Sequence, residues 1–296
     1  MRRSYRLPCQ HVRMTIPASG PDHRAVGCSL SASVGEPTSI VLAVAVARSP
    51  GLRVVESLTV EVDGRTVEMR ELEGRAGTRW HRATVPAGEL EVRYGAEVEG
   101  RATPAVVVER DLVEDVRPSR YVQSDLLPGA LIDAGEVAAL GALDPVERVA
   151  AARVMVGELL DYSLGSSAAT DGLPEVLATG KGVCRDFAHL MAGLLRATDL
   201  PARLVSVYAP ELSPMDFHAV VEVAIEGRWW VVDATGLAPR EGMLRIATGR
   251  DAADTAFLAN DGSALTLRDL SVRAVATGGA AGQSTVDDPR ALVALA

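Results

Sequence analysis

The chain has 296 residues, 48% of them hydrophobic and 23% charged, which suits a soluble globular protein long enough for two domains. A net charge of -9, a pI near 5.2 and no arginine- or lysine-rich run argue against a nucleic-acid-binding surface. The longest apolar run, Ile40 to Ala47, is far shorter than the roughly 20 residues that a membrane-spanning helix requires, so no membrane partner is expected.

The N-terminal stretch MRRSYRLPCQHVRM has basic residues with no apolar segment behind them. No secretory signal is expected from it, and the default location is the cytoplasm. Cys9, His11, His23 and Cys28 are all metal-ligand types, but C-x-H followed by H-x4-C is no standard zinc spacing, so neither a metal nor a cofactor is expected. Cys9, Cys28 and Cys184 are too few and too scattered for a disulfide framework.

From about Ser29 to Val108 the chain runs in short β-branched segments broken by Gly, Pro and Asp. Alternation such as Leu58, Val60 and Val62 predicts half-buried strands, and the run Ile40 to Ala47 reads as a buried strand. Residues 1–108 are therefore expected to form an antiparallel β-sandwich, acting as a scaffold or a lid on its neighbour. Pro118, Pro128, Gly129 and Gly135 interrupt any period across 109–140, which reads as an inter-domain passage.

The period then becomes helical, and 141–276 reads as the core of the second domain. Asp144 can cap a helix with Pro145 at its first position and Glu147 three residues on, close to a capping box, with Val146, Val149, Ala150, Val156, Leu159 and Leu160 as the apolar stripe. A second helix follows Gly182, marked by Phe187, Leu190, Met191, Leu194 and Leu195, and stops at Asp199 before Pro201. RLVSVY (203–208), FHAVVEVAI (217–225) and RWWVVDAT (228–235) then read as strands, giving an α+β domain with helices packed on an antiparallel sheet. The small, polar residues of 277–296 read as a loose tail.

The stretch GKGVCRDFAHL delivers Cys184 to the first turn of that second helix. A helix N-terminus lowers a thiol pKa, and the thiolate is the attacking form. Taken alone, a free cysteine is more often a small buried hydrophobe, so a base must be found. His189 is the nearest candidate, but five residues along a helix is about 140° around, so it points away and reads as structural. His218 opens a strand on which it shares a face with Val220 and Glu222.

Glu226 and Gly227 separate that strand from the next and invite a two-residue hairpin loop. With such a loop, Ile225 faces Arg228 and Val220 faces Asp233, which becomes the diagonal neighbour of His218, roughly 7 to 8 Å away by backbone. A three-residue loop would put Asp233 on the wrong face. With the two-residue loop, Asp233 can orient one ring nitrogen of His218 and turn the other toward Cys184, whose attack on an amide would leave a thioester. The backbone N–H of Cys184 can stabilise the oxyanion. The alternative for Asp233 is a strand-end turn residue ahead of Thr235 and Gly236, and Asp186 reads as a cap of the first helical turn.

These residues resemble the bacterial transglutaminase-like proteins of the papain-like thiol superfamily. The resemblance lies in GVCRDFAHLM around Cys184, DFHAVVEV around His218, WWVVDATGLAP around Asp233 and RIATGRDAAD from Arg245 to Asp254, with RPSRYVQSD at 117–125 and SLGSS at 163–167 as further family-like runs. It implies a papain-like transglutaminase core behind an N-terminal β domain, with Cys184, His218 and Asp233 as the catalytic triad. Arg185 stands where eukaryotic transglutaminases carry tryptophan, so the resemblance implies hydrolysis as readily as crosslinking. Asp251 and Asp254 are family-like, and holding a turn near the site is their expected task. Of Trp229 and Trp230, one is expected in the core and the other, Trp229, on the wall of the cleft, with Tyr208 and Asp216 lining it.

The expected activity is attack on peptide or glutaminyl amide bonds through a thioester resolved by water or an amine, with a protein or peptide as substrate. The alternatives are a plain cysteine peptidase or amidase, and a binding scaffold that keeps the fold without the chemistry.

Overall fold

The computed structural model describes residues 22–101, 103–262, 265–277, 288 and 290–295. Its first strand, β1 (His23–Val34), turns Val26, Cys28, Leu30, Ala32 and Val34 inward and the residues between them outward, the period of two that a pleated strand imposes. That period separates His23 from Cys28, which face opposite ways; Cys9 and His11 lie outside the described residues. After β1 come β2 (Thr38–Leu42), β3 (Leu52–Val62), β4 (Arg65–Thr66), β5 (Arg70–Glu73), β6 (Arg79–Val85) and β7 (Gly88–Gly100). β7 pairs with both β1 and β3, and β6 pairs with both β2 and β5, all antiparallel. The two sheets enclose one apolar core, as in a sandwich.

The second half begins with α1 (Glu109–Glu114), α2 (Ala134–Gly141), α3 (Pro145–Leu159), β8 (Asp161–Tyr162), α4 (Leu173–Thr179), β9 (Lys181–Gly182) and α5 (Cys184–Arg196). Asp144 caps α3 as expected, accepting the N–H groups of Val146 and Glu147 at 3.1 and 3.2 Å, a cap worth about 1 kcal/mol. Glu147 does not complete a capping box; it binds Arg290 Nε at 2.8 Å. β10 (Ala202–Tyr208), β11 (Phe217–Ile225), β12 (Arg228–Val232) and β13 (Leu244–Gly249) then form an antiparallel sheet in the order β12-β11-β10-β13. Leu190, Met191 and Leu194 of the almost wholly buried α5 pack with Leu204, Val221, Val223 and Trp230 on one face of that sheet. After β13 come α6 (Ala252–Thr255), β14 (Leu258–Asn260) and β15 (Leu265–Thr277). Among the described residues no helix is long and apolar enough to cross a membrane.

Three expected boundaries differ from this topology. β14 and β15, read as part of the 141–276 core, return to the sandwich and pair with β2 and β1. They cover edges whose backbone groups would otherwise stay unpaired, a long-range partnership that local periodicity does not reveal. Within 109–140, read as a passage, Val122, Leu127, Ile132, Val137 and Leu140 lie in the helical core. Within the tail read as loose, Val231 N–H donates to Val293 O at 2.8 Å, and Val293 and Leu295 are buried; residues 278–287, 289 and 296 lie outside the described residues.

The apolar run Ile40 to Ala47 is a strand only as far as Leu42. Ala43 to Ala47 continue as buried irregular chain, which is possible because its backbone groups find partners elsewhere. Ala43 N–H donates to Phe257 O at 3.0 Å, Val46 N–H to the Tyr94 hydroxyl at 2.9 Å and Ala47 N–H to Arg245 O at 2.8 Å. Val44 O accepts the Tyr208 hydroxyl at 2.8 Å, so this run joins the sandwich to the second sheet.

The face of the second sheet away from α5 carries a buried ionic cluster. Glu222 on β11 accepts from Arg203 Nε at 2.8 Å and from Arg245 Nη1 and Nη2 at 2.8 and 2.6 Å. Burial alone would raise the Glu222 pKa, but the two guanidiniums bring it down to about 2. Removing one partner of such a cluster strands a buried charge, so Glu222→Gln is expected to cost about 3–5 kcal/mol in urea unfolding at neutral pH. Because the folded pKa is depressed, this stabilisation is present above the ordinary value of 4.5 and is lost as pH falls through about 2, and the gap between wild type and variant should close over that range.

Candidate active site

Gly182 and Asp186 shape the entry to α5. A Cβ on Gly182 would come within 2.6 Å of Asp186 Cβ, so only glycine lets the chain pass this close to the helix start. Asp186 Oδ2 accepts Val183 N–H at 2.8 Å, the capping contact expected of it, and also the Ser167 hydroxyl at 2.5 Å. Arg185 Nη2 donates to Ser167 Oγ at 3.0 Å and Ala168 O at 2.8 Å, which ties the 163–168 loop against the first turn. Cys184 is the first residue of the helix and is partly accessible.

The β11–β12 hairpin supplies the partners. Glu226 and Gly227 both have positive φ, 51° and 74°, as a two-residue hairpin turn requires, and Ile225 lies across from Arg228. The pairing runs back to Val221 opposite Val232. One step further brings Asp233 opposite Val220 and diagonal to His218, at the end of the hairpin away from its turn.

There Asp233 Oδ2 lies 2.9 Å from His218 Nε2, both side chains fully buried. Asp233 Oδ1 accepts Thr235 N–H at 2.9 Å and the Thr235 hydroxyl at 2.7 Å. The strand-end turn residue and the partner of the histidine are thus the same side chain, one oxygen for each. Burial would raise the Asp233 pKa, but His218 and Thr235 hold it below its ordinary value, and an ionised carboxylate only accepts, so Nε2 carries a proton.

His218 Nδ1 has no hydrogen-bond partner of ordinary geometry, yet the Cys184 thiol is near enough to act on the ring. With Nε2 committed to Asp233, Nδ1 is the nitrogen left for the sulfur. Burial lowers the His218 pKa, but Asp233 and then Cys184 outweigh it and bring it up to about 10.

Tyr162, which the sequence does not single out, stands over the helix start. It lies opposite Gly182 in the parallel β8–β9 bridge, and its ring is 5.7 Å from that of Phe187. A two-residue bridge has no periodicity to read, so a lone tyrosine after a helix end carries no local signal.

A family model described as the Transglutaminase-like superfamily matches residues 136–234, a stretch that holds Tyr162, Cys184, His218 and Asp233. The chain carries a transglutaminase-like domain. It fits the bacterial transglutaminase-like family that its motifs resemble. A solved structure from Cytophaga hutchinsonii, described as a putative cysteine protease, is similar over 88% of this chain and 92% of that one, with 28% identity and a TM-score of 0.77. An uncharacterised protein of Mycobacterium leprae is 34% identical over 127 residues, which is 39% of this chain. The match spans only 44% of that relative's length.

Two residues expected along the cleft of the transglutaminase-like domain are not there. Trp229 is 1% exposed: its Nε1 donates to Asp111 Oδ2 at 3.2 Å, and the Arg203 guanidinium lies 3.9 Å from its ring centroid. Tyr208 is 0% exposed, with its hydroxyl on Val44. Both assignments fail for one reason, that α1 and the sandwich cover surface which the local sequence leaves open. Trp230 is buried on the helix side. Asp216 is exposed beside the site, its Oδ1 accepting Phe217 N–H at 2.7 Å. Partial burial of its carboxyl raises its pKa, while Phe217 N–H and His218 pull it the other way.

Asp251 and Asp254 hold turns as expected. Asp251 accepts Ala253 N–H and Tyr121 N–H at 2.9 Å each, and Asp254 accepts Arg250 N–H at 2.9 Å. The family-like runs at 117–125 and 245–254 are thereby bound together. His189 accepts Ala252 N–H at 3.1 Å, and burial above all lowers its pKa to about 3. Among the described residues no group of three or more His, Cys, Asp and Glu side chains is placed to hold a metal.

The His218 ring should titrate near 10 by NMR, and Asp233→Asn should bring that value down toward the ordinary 6.5. Since the folded pKa is raised, the stability that the pair contributes is complete below about 6.5 and is lost as pH rises through about 10. An unchanged titration in Asp233→Asn would show that the two side chains are not coupled.

Proposed function

We propose that the protein is a cysteine enzyme that opens peptide or glutaminyl amide bonds through a thioester on Cys184. The observation that carries this reading is the 2.9 Å contact of His218 Nε2 with Asp233 Oδ2, which leaves Nδ1 for the sulfur. A protonated imidazole beside a sulfur favours the anionic, nucleophilic form. The raised pKa of His218 supports a ring that holds its second proton at neutral pH.

In the first half of the reaction the sulfur bonds to the amide carbon and the carbonyl π pair moves to oxygen. His218 Nδ1 gives its proton to the amide nitrogen, the C–N bond breaks and the amine departs, leaving the thioester. The neutral Nδ1 then takes a proton from the incoming water or amine, whose attack releases the thiolate. Water is the favoured acceptor, because the similar Cytophaga hutchinsonii structure is described as a putative cysteine protease and Arg185 stands where the eukaryotic crosslinking enzymes carry tryptophan.

Incubation with a glutamine-bearing peptide and a fluorescent primary amine separates the two outcomes. Hydrolysis releases ammonia or cleaved peptide without label, transfer gives labelled peptide, and Cys184→Ala should abolish either. Iodoacetamide at neutral pH should alkylate Cys184 and spare Cys28, whose thiol burial pushes up to about 11. His218→Ala should slow alkylation of Cys184 by on the order of tenfold. Equal rates in the two proteins would remove His218 from the reaction and leave the scaffold reading.

A further inference from the structure

A buried carboxylate serves a histidine only if it stays ionised and keeps one chosen oxygen turned to the ring. Asp233 is 1% exposed, so the chain itself has to supply the donors that water would otherwise give. Oδ2 lies 2.9 Å from His218 Nε2. Both donors on Oδ1 come from Thr235, the backbone N–H at 2.9 Å and the hydroxyl at 2.7 Å.

The backbone N–H is what almost any residue would offer in a turn that an aspartate closes two residues on. The hydroxyl is particular to Thr235. A hydroxyl has a single proton to give and rotates to suit its neighbours. Leu237 N–H donates to the Thr235 hydroxyl oxygen at 3.2 Å, which occupies a lone pair and leaves the proton for Asp233. Amide, hydroxyl, carboxylate and imidazole thus stand in one line of hydrogen bonds, in which each bond polarises the next.

From these contacts we infer that Thr235 is a positioning residue of the site, whose hydroxyl fixes the oxygen that Asp233 turns to His218 and so the ring nitrogen left for Cys184. The inference rests on the cysteine chemistry proposed above and deepens it. With the hydroxyl gone, Oδ1 keeps one donor in a dry site, and burial acts against the charged carboxylate with less to oppose it. Oδ1 then competes with Oδ2 for the proton on Nε2. The imidazolium loses part of its counter-charge and the ring loses its fixed tilt. Thr235 acts through Asp233 alone and transfers no proton.

Two substitutions in the full chain separate the hydroxyl from the rest of the side chain. Thr235→Val keeps the branched shape and the backbone N–H and deletes the hydroxyl, whereas Thr235→Ser keeps the hydroxyl and deletes the methyl group. The His218 ring is titrated by NMR in each. Asp233, Cys184 and Asp216, the titratable groups that act on the ring, stay in place throughout. The wild-type midpoint of about 10 should fall by about one unit or more in Thr235→Val, the equivalent of one hydrogen bond to a charged group, and return in Thr235→Ser. If Thr235→Val does not fold, Thr235→Ala set against Thr235→Ser makes the same comparison. A residue that only closes the turn would lower the urea midpoint and leave the titration at its wild-type value, which overturns the inference. An equal fall in Thr235→Val and Thr235→Ser overturns it too, because the methyl group would then be what matters. The expected fall and return, in a wild type that neither hydrolyses nor labels the glutamine-bearing peptide, supports the positioning of Asp233 and overturns the thioester reading instead.

Discussion

A two-residue turn decides which side of the β11–β12 hairpin carries the chemistry. Glu226 and Gly227 adopt positive φ, and the twist of such a turn matches that of the strands it joins. From there the register has no freedom: Ile225 meets Arg228, Val221 meets Val232, and Asp233 falls diagonal to His218. One extra loop residue would exchange the faces of every β12 side chain, and the carboxylate would point away from the imidazole. The 2.9 Å contact at one end of the hairpin is therefore fixed by backbone geometry at the other.

The charged cluster behind the hairpin guards the same register. Buried ion pairs add little net stability over a well-packed apolar substitute. What Glu222 does is make a slip prohibitive, since moving β11 by one residue would drive this carboxylate into the face where Val221 and Val223 pack on α5. The cluster reaches outward as well. Arg203 lies over Trp229, Trp229 donates to Asp111, and Asp111 and Asp115 bind Arg75 of the sandwich. The indole that the sequence reading puts on a cleft wall is a strut in this chain of contacts.

The parts legible in the sequence are those whose signal is local. The 3.6-residue period from Phe187 to Leu195 marks α5, the alternation of FHAVVEVAI marks β11 to its end residues, and the turn between the two strands yields the pairing of His218 and Asp233 by counting alone. What escapes local reading depends on segments far apart in the chain. β15 closes the sandwich 254 residues after its partner His23, and Val293 bridges to Val231. Tyr208 and Trp229 look available only while Val44 and Asp111, which cover them, are unplaced. Tyr162 reaches Gly182, just ahead of α5, through a parallel bridge of two residues, too short to leave a pattern.

These long-range contacts also distinguish a scaffold from a lid. A lid must swing, and to swing it must part from what it covers at modest cost. The sandwich is tied to the second sheet by the Tyr208 hydroxyl on Val44 O, by Thr248 N–H on the Thr78 hydroxyl at 2.9 Å, and by Arg75 on the buried Asp111 and Asp115. Each buried polar group left unpaired on opening would cost about 1–3 kcal/mol, and the charged ones more. Tyr208, Leu244 and Ile246 of the second sheet also belong to the sandwich's own apolar core, so opening would expose that core to water. Summed over these contacts the cost approaches the whole stability of an ordinary domain, about 5–15 kcal/mol, which makes the sandwich a fixed buttress for β10 and β13.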